Sequence, residues 1–287
     1  MAPRVGATKL GYSTEICADP VFVIGSPRSG TSIMAWSLVQ HSSGFWSSNE
    51  SHILWELFGD GTVENAFIRA RGAHSDGWLP KEGVEIEEFL QYLGLGLNAL
   101  FTSRSEGKRW IDHTPSYTRI VDIVAELFPG ALFIHMLRDG REVVNSMTHF
   151  LDVPKNNMRQ SPAWVDFTQA CRTWRTHTEL AMDFCARNPA RCLTVVHGEL
   201  AANPRDGFME IHEFLSVSNE DGPVDYFRSG RINSSFQSSK EAQIRVLDPS
   251  ADWTPKERMI FYWEAGPKLL EYGLATKEEL DSLLTPN

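Results

Sequence analysis

The sequence predicts an α/β fold, a single domain with a mainly parallel central sheet flanked by helices. Short apolar runs with β-branched residues alternate along the chain with longer amphipathic patterns. Parallel strands need such helical crossovers between them. The 287 residues contain no internal repeat, low-complexity segment or long linker that would divide the chain. We therefore expect one large domain whose ligands bind at the carboxyl ends of the strands.

The first predicted unit is a strand, a tight loop and a helix. The apolar run 21–24 forms the strand, the glycine-containing segment 25–32 forms the loop, and a helical pattern of apolar residues starts at Ile33. The 20 residues before this unit are interpreted as an extension, which leaves 21–287 as the domain.

A second unit follows further along the chain. Residues 119–128 have the pattern of an amphipathic helix that ends at Pro129 and Gly130, and residues 131–137 form a buried strand. Asp139 is placed to cap the next helix, 142–150, with Glu142 closing a capping box. A third buried strand is predicted at 193–196.

The remaining elements are less closely tied to the sheet. Thr254, Pro255 and Glu257 are typical of a helix start and predict one helix over 254–272. Residues 59–84 are richer in glycine and charge and are a candidate lid or substrate loop. Other helices are predicted at 85–101, 163–187 and 205–215.

Charge and cysteine content exclude several classes of protein. With 27 Lys and Arg against 37 Asp and Glu, the net charge of -10 leaves no general surface for nucleic acid. The four cysteines lack CxxC spacing, which disfavours zinc and a dense disulfide framework and favours buried thiols in a reducing compartment. Neither a signal-peptide core nor an apolar run of about 18 residues is present, so we expect a cytoplasmic protein without a transmembrane segment.

The loop Gly25-Ser26-Pro27-Arg28-Ser29-Gly30-Thr31-Ser32 has the spacing of a loop that binds an anion through backbone N–H groups. The ATP-binding form, GxxxxGK[ST], has a lysine where this chain has Thr31. Arg28 supplies a cation two residues before Gly30, and its guanidinium can bind two oxygens of a phosphate or sulfate. The alternative is an ordinary glycine-rich turn.

A second anion site is indicated after the strand 131–137. Arg138 leaves the end of this strand, and Ser146 lies two turns into the following helix, so a guanidinium and a hydroxyl can converge on a phosphate. Alone, Arg138 is equally well explained as a surface ion pair.

Together these two segments resemble those of the sulfotransferases that use 3'-phosphoadenosine 5'-phosphosulfate (PAPS). The family's 5'-phosphosulfate loop, PRSGT[ST], is matched by Pro27 to Ser32, and its 3'-phosphate pair by Arg138 and Ser146. Weaker similarity extends to WIDHTPSY at 110–117, VVHGEL at 195–200, SGRINSS at 229–235 and WEAGPKLLEYG at 263–273. The resemblance is closest to the bacterial and tyrosylprotein-type branch, and it implies a P-loop-like sulfotransferase fold.

The resemblance also implies roles for particular residues. Arg28 and the segment from Ser29 through Gly30 and Thr31 to Ser32 bind the 5'-phosphosulfate, and no metal is required in principle. Glu50 resembles the catalytic base of tyrosylprotein-type members. A partly buried Glu beside a pocket has a pKa suited to that role.

His113 is the alternative base. It stands in Asp112-His113-Thr114-Pro115, where related enzymes often have a lysine in a KTP-like segment, while the cytosolic branch has a catalytic histidine in a similar HxP setting. His113 is therefore either a donor to the leaving oxygen or the base itself. We favour Glu50.

Two more residues are candidates for the nucleotide site. His197 falls near the position where the family often has an aromatic residue against the adenine, and Arg231 is placed to reach the 3'-phosphate. Each has a purely structural alternative. The acceptor is expected to be a hydroxyl of a small molecule, a lipid or a carrier-bound intermediate.

Two rival functions remain open at this stage. A P-loop kinase or NTPase would need Mg²⁺ and a cation over the terminal phosphate, and Thr31 in the lysine position argues against it. A non-catalytic nucleotide-binding module would keep its affinity without Glu50 and His113.

Overall fold

A five-stranded parallel sheet forms the centre of the computed structural model, which describes residues 15–73, 76–149, 166–229 and 249–285. The sheet has the order β2-β3-β1-β4-β5, and every neighbouring pair is parallel. This confirms the α/β fold class. The strands are β1 (Val21–Gly25), β2 (Phe45–Ser47), β3 (Arg109–Asp112), β4 (Leu132–Leu137) and β5 (Cys192–Val196).

Three of these strands coincide with the predicted runs at 21–24, 131–137 and 193–196. The strands β2 and β3, which have only three and four residues, were not predicted. Each mixes aromatic with polar side chains, so neither produces a continuous apolar run.

Helices cover both faces of the sheet. In chain order they are α1 (Thr31–Leu38), α2 (Ile53–Phe58), α3 (Thr62–Ala73), α4 (Trp78–Lys81), α5 (Ile86–Arg104), a 3-10 helix (Pro115–Ile120), α6 (Val121–Leu127), α7 (Gly140–His149), α8 (Phe167–Arg187), α9 (His197–Ala202), α10 (Pro204–Phe214), α11 (Asp221–Ser229), α12 (Pro255–Glu264), α13 (Gly266–Glu271) and α14 (Lys277–Ser282).

The alternation of side chains along β1 divides the core between the two faces. Phe22 faces a cluster built with α5, α6 and α8, where it stacks on Phe133 at 5.6 Å between ring centroids. Val21 and Val23 face the other cluster, which includes Met34 of α1. Both faces of β1 are fully buried, as expected for a central parallel strand. A third cluster joins α7 and α8 to α12, α13 and α14.

The predicted helix over 254–272 is wrong in one respect, because it is two helices, α12 and α13, with a break at Ala265. Pro267 lies in the first turn of α13, where a proline is tolerated, whereas within a continuous helix it would remove a hydrogen bond and clash with the preceding turn. The predicted start is confirmed, since Thr254 and Glu257 form a complete capping box.

The segment 59–84 was predicted as a loop but contains α3 and α4. Asp60 initiates α3 by accepting the backbone N–H of Thr62 at 2.9 Å. Phe67 then packs against Phe89 of α5 at 5.0 Å between ring centroids. Apart from Gly72, which lies within α3, the glycines of this segment flank helices. A lid function of the segment remains a prediction.

The cysteines differ from expectation. Cys185 and Cys192 form a disulfide across the turn that joins α8 to β5, with Cα atoms 5.0 Å apart, while Cys17 and Cys171 are free. A spacing of seven residues gave no signal of this pair, because the turn between the two elements brings them together. Disulfides persist mainly in oxidising compartments, so the cysteines no longer favour a reducing one. Cytoplasmic location stays a prediction.

Within the described ranges, none of the helices combines the length and the apolar character needed to cross a bilayer.

Candidate active site

The candidate residues lie at one edge of the sheet. Because all five strands are parallel, their carboxyl ends meet at the same edge. Each strand is followed there, within three residues, by a sequence-predicted residue. These are Arg28 after β1, Glu50 after β2, His113 after β3, Arg138 after β4 and His197 after β5.

The loop between β1 and α1 has a backbone conformation that requires glycine at both ends. Gly25 has φ +143° and Gly30 has φ +101°, and Arg28 between them also has a positive φ, 71°. A Cβ on Gly25 would lie 2.7 Å from the Met136 carbonyl oxygen, and one on Gly30 would lie 2.9 Å from a ring carbon of His197. Gly30 precedes α1, whose first N–H groups have no acceptor within the helix and are suited to the predicted anion site.

Ser29 adds a further sign that the loop binds a ligand. Its hydroxyl oxygen is buried and has no hydrogen-bond partner among the described residues. Thr31 and Ser32 occupy the first turn of α1, so their backbone N–H groups belong to the anion site. Buried polar groups are usually satisfied, and a phosphate or sulfate oxygen is the partner that this loop is shaped to hold.

The two predicted anion sites are in contact. Arg28 Nε donates to Ser146 Oγ at 3.0 Å, and Arg138 donates to the Arg28 carbonyl oxygen at 3.0 Å. The phosphate loop and the Arg138–Ser146 pair therefore form one continuous site, although Ser146 is 118 residues from Arg28 in sequence.

Glu142 has a different role from the predicted one. Its carboxylate binds the Arg138 guanidinium, 2.7 Å from Nε, instead of closing a capping box with Asp139. A charged guanidinium is a stronger donor than a neutral backbone N–H, so the ion pair is favoured. Asp139 still caps α7 by accepting the Arg141 N–H at 2.8 Å.

Two cations meet at this site. Burial, and then the charge of Arg138, lower the pKa of Arg28 to about 10, while Glu50 acts in the opposite direction. Arg28 remains charged at neutral pH, and an anion bound beside both residues would reduce the repulsion between Arg28 and Arg138. The charge pattern fits a bound polyanion.

Thr118 holds the start of the phosphate loop. Its hydroxyl accepts the Gly25 N–H at 2.9 Å and donates to the Gly25 carbonyl oxygen at 3.0 Å. Thr118 lies in the 3-10 helix and is fully buried. One side chain thus satisfies both backbone groups of the residue at which β1 ends.

Glu50 is partly buried beside Arg28. Burial raises the pKa of Glu50, as does the negative charge of Asp112, while His52 and Arg28 lower it. His52 Nε2 lies 3.4 Å from a Glu50 carboxylate oxygen. A carboxylate with a raised pKa next to a cation that can bind the transferred group is suited to accept a proton.

His113 is buried where β3 ends. Burial lowers the pKa of His113, and the charge of Asp112 acts against this. The imidazole is therefore neutral at physiological pH, which is compatible with either of its two predicted roles. The site geometry leaves both roles open, and the charge of Glu50 acts on Arg28.

A hydrogen-bonded network joins the Glu50 and His113 segments. Asp112 accepts from Ser51 Oγ at 2.7 Å, and from the N–H and hydroxyl of Thr114 at 2.9 and 2.7 Å. The Ser51 N–H in turn donates to Thr114 Oγ1 at 3.0 Å. Tyr117 completes the network, with its hydroxyl 2.6 Å from Ser51 Oγ.

His197 packs on the phosphate loop, with a ring carbon close to Gly30, and its ring lies 6.1 Å from that of Phe227. Burial and the charge of Arg138 lower the pKa of His197 to about 3, so the ring is neutral. Its predicted stacking on adenine stays a prediction. Arg231 lies outside the described residues.

The roles of two residues that shape the site, Asp112 and Thr118, were not predicted, and Glu142 was predicted with a different partner. Asp112 directly precedes His113 and Glu142 lies four positions after Arg138, so their carboxyl groups were the available signal. Thr118 had no signal, because its contact with Gly25 spans 93 positions and depends on the folded sheet.

A glycine-rich loop after the central strand of a parallel sheet, with two arginines beside it, is typical of α/β proteins of the P-loop type, whose loops are suited to anionic ligands. A comparison with known families narrows this class. The model of the sulfotransferase family matches residues 20–221, which include all the candidate residues except Arg231. The chain belongs to the sulfotransferase family.

The similar proteins are distant in sequence. Protein-tyrosine sulfotransferase A of Caenorhabditis elegans is 24% identical over 206 residues, which cover 70% of this chain and 50% of that protein. Protein-tyrosine sulfotransferase 2 of Gallus gallus is 24% identical over 215 residues, covering 73% and 54%. A crystal structure of a mouse sulfotransferase complexed with PAP is 14% identical, covers 93% of this chain and 87% of that one, and has a TM-score of 0.49.

The chain spans only about half to two thirds of the length of the curated relatives that it matches, 65%, 50% and 57% for three of them.

Proposed function

We propose that the protein is an enzyme that transfers a sulfuryl group from PAPS to a hydroxyl. The observation that carries the proposal is the contact between the two anion sites, in which Arg28 binds Ser146 and Arg138 binds the Arg28 carbonyl oxygen. A nucleotide with phosphates at both its 5' and 3' positions has the charge distribution that two adjoining anion sites require. The family supports the same donor.

The residues present fit this donor. Gly25 and Gly30 form a cradle that a Cβ would fill, and the buried Ser29 hydroxyl oxygen has no partner within the described part of the chain. When bound, PAPS supplies the sulfuryl group, and its 3',5'-bisphosphate is the leaving group. Arg28 and the N–H groups from Ser29 to Ser32 would hold the 5' end, and Arg138 with Ser146 would hold the 3'-phosphate.

The protein's part in the reaction is to position and to neutralise charge. Arg28 and the amino end of α1 are aimed at the region where negative charge grows on the leaving phosphate, so they stabilise the transition state. The sulfuryl donor and the hydroxyl must be held in line, which the rigid strand ends achieve.

Removal of the acceptor proton is assigned to Glu50. Its pKa is raised by burial and by Asp112, so the carboxylate is a stronger base than an exposed glutamate. His113, neutral at the end of β3, is assigned as a hydrogen-bond donor to the leaving oxygen. Activity that survives Glu50→Gln but is lost in His113→Ala would exchange these two roles.

The acceptor is proposed only as a hydroxyl group. Small molecules, lipids and carrier-bound intermediates remain candidates, and the names of the relatives add the tyrosine hydroxyl of a protein. A cytoplasmic location likewise remains part of the proposal.

Calorimetric titration with 3'-phosphoadenosine 5'-phosphate (PAP), with ADP and with ATP plus Mg²⁺ tests the donor site. We expect the tightest binding for PAP, and Arg138→Ala should remove the preference for PAP over ADP. A preference for ATP with Mg²⁺ would contradict the proposal and support a kinase. Labelled PAPS with a tyrosine-containing peptide and with a small phenol then tests transfer.

A further inference from the structure

We propose that Asp112 is a positioning residue that fastens the Glu50 segment to the His113 segment and keeps a negative charge beside the Glu50 carboxylate. The proposal rests on the proposed function for its meaning in catalysis, because it concerns the base of that reaction. Its first part rests on hydrogen bonds and its second on the burial and neighbours of Glu50.

The direction of each hydrogen bond in the network follows from Asp112. A carboxylate only accepts, so the Ser51 hydroxyl must donate its single hydrogen to Asp112. The Tyr117 hydroxyl must then donate to Ser51 Oγ, and its oxygen accepts the Leu54 N–H at 3.1 Å. By the same reasoning Thr114 donates its hydroxyl hydrogen to Asp112 and accepts the Ser51 N–H.

This network holds the chain immediately next to the two candidate catalytic residues, Glu50 and His113. Ser51 directly follows Glu50, and Asp112 and Thr114 flank His113 on both sides. Asp112 is 7% exposed and Thr114 is 1% exposed, so water competes little for these bonds. Glu50 lies three residues beyond the end of β2, and this anchor on β3 holds its segment in place.

The three donors to Asp112 are all neutral groups, so its negative charge is satisfied by hydrogen bonds and remains effective at Glu50. Other groups also act on Glu50. Arg28 from the loop after β1 and His52 from its own segment both lower its pKa, whereas burial and Asp112 raise it. Asp112 therefore acts against these two groups, which would otherwise make Glu50 a weaker base.

Replacing Asp112 by asparagine tests the charge with little change of shape. The pKa of Glu50 is measured by ¹³C NMR on protein labelled at glutamate Cδ, with Glu50→Gln used to assign the signal. We expect the pKa of Glu50 to fall in Asp112→Asn, and the pKa of His113 to fall with it, because Asp112 raises both.

Two control variants separate charge from geometry. Ser51→Ala breaks one bond of the network but keeps the charge, so Glu50 should retain a pKa above its ordinary value. Asp19→Asn removes a carboxylate that pairs with Arg109 near the amino end of β1, and it should leave Glu50 unchanged. Equal pKa values of Glu50 in wild type and Asp112→Asn would overturn the proposal.

If Asp112→Asn fails to fold, the pKa of Glu50 in the wild-type protein provides a second test. An ordinary or lowered pKa for Glu50 in the wild type would also refute the role of Asp112. Because the NMR titration needs no nucleotide, a protein that does not bind PAP would refute the proposed function and leave this result standing. With PAPS turnover, the acid limb of the pH profile of kcat/KM should move to lower pH in Asp112→Asn.

Discussion

Replacing Thr118 by valine removes both hydrogen bonds that hold Gly25 where β1 becomes the phosphate loop. Valine keeps the shape of threonine but has no hydroxyl, so the Gly25 N–H and carbonyl lose bonds of 2.9 and 3.0 Å. Each buried backbone group left without a partner costs about 1–3 kcal/mol. Burial of the added methyl group returns about 0.8 kcal/mol.

For the two groups together, the expected loss in the free energy of unfolding is therefore about 1–5 kcal/mol. This is smaller than the total stability of a typical domain, about 5–15 kcal/mol, so the variant should fold. Urea denaturation gives the loss, and calorimetry with PAP should show weaker binding because the loop is less well held.

Thr118→Ser is the matched control, since it keeps the hydroxyl and removes only a methyl group. It should bind PAP as the wild type does and lose about 1 kcal/mol. If Thr118→Val is as stable as Thr118→Ser and binds PAP equally well, the two hydrogen bonds do not hold the loop and the reasoning is refuted.

Three further predictions follow from the same site and core. Arg28→Ala should lower turnover by about 10²–10³-fold, whereas Arg138→Ala should mainly weaken PAP binding. Steady-state kinetics measure the first effect and calorimetry measures the second. Wild-type turnover in Arg28→Ala would contradict the mechanism. Gly30→Ala should fold but lose PAP binding, because φ is +101° and the new Cβ would lie 2.9 Å from a ring carbon of His197. An undiminished affinity for PAP would show that the loop tolerates a Cβ at this position. Burial lowers the pKa of His135 to about 3 and of His177 to about 4, so the unfolded chain binds more protons below pH 6.5. Above that pH these histidines do not reduce the free energy of unfolding. As the pH drops towards 4, the free energy of unfolding should fall by up to about 1.4 kcal/mol per pH unit for each histidine. An equal urea midpoint at pH 7.5 and 5 would contradict this prediction.

The sequence predicted the elements whose signal is local. The apolar runs that became β1, β4 and β5 are long enough to stand out, and the glycine-rich loop is a contiguous pattern. The two short segments β2 and β3 are strands because β2 pairs with β3 and β3 pairs with β1. The signal for these strands therefore lies in tertiary contacts.

The same distinction separates the predicted from the missed parts of the site. Arg28 and Arg138 follow recognisable strands, and similarity to a family pointed to Glu50 and His113. Asp112 and Thr118 act through partners 61 and 93 residues away, and no local pattern encodes such contacts. Glu142 was noticed, but its partner was wrong, because a competing guanidinium was not considered.

The common direction of the five strands also divides the protein for engineering. Substitutions that harm chemistry should concentrate at the carboxyl edge, whereas the amino edge, where Asp19 pairs with Arg109, holds none of the candidate residues that the structure describes. Libraries for a more heat-resistant variant can therefore be confined to the amino edge and screened by melting temperature alone. Selection for new acceptors can proceed separately at the opposite edge, and the two sets of changes should combine additively because they are far apart.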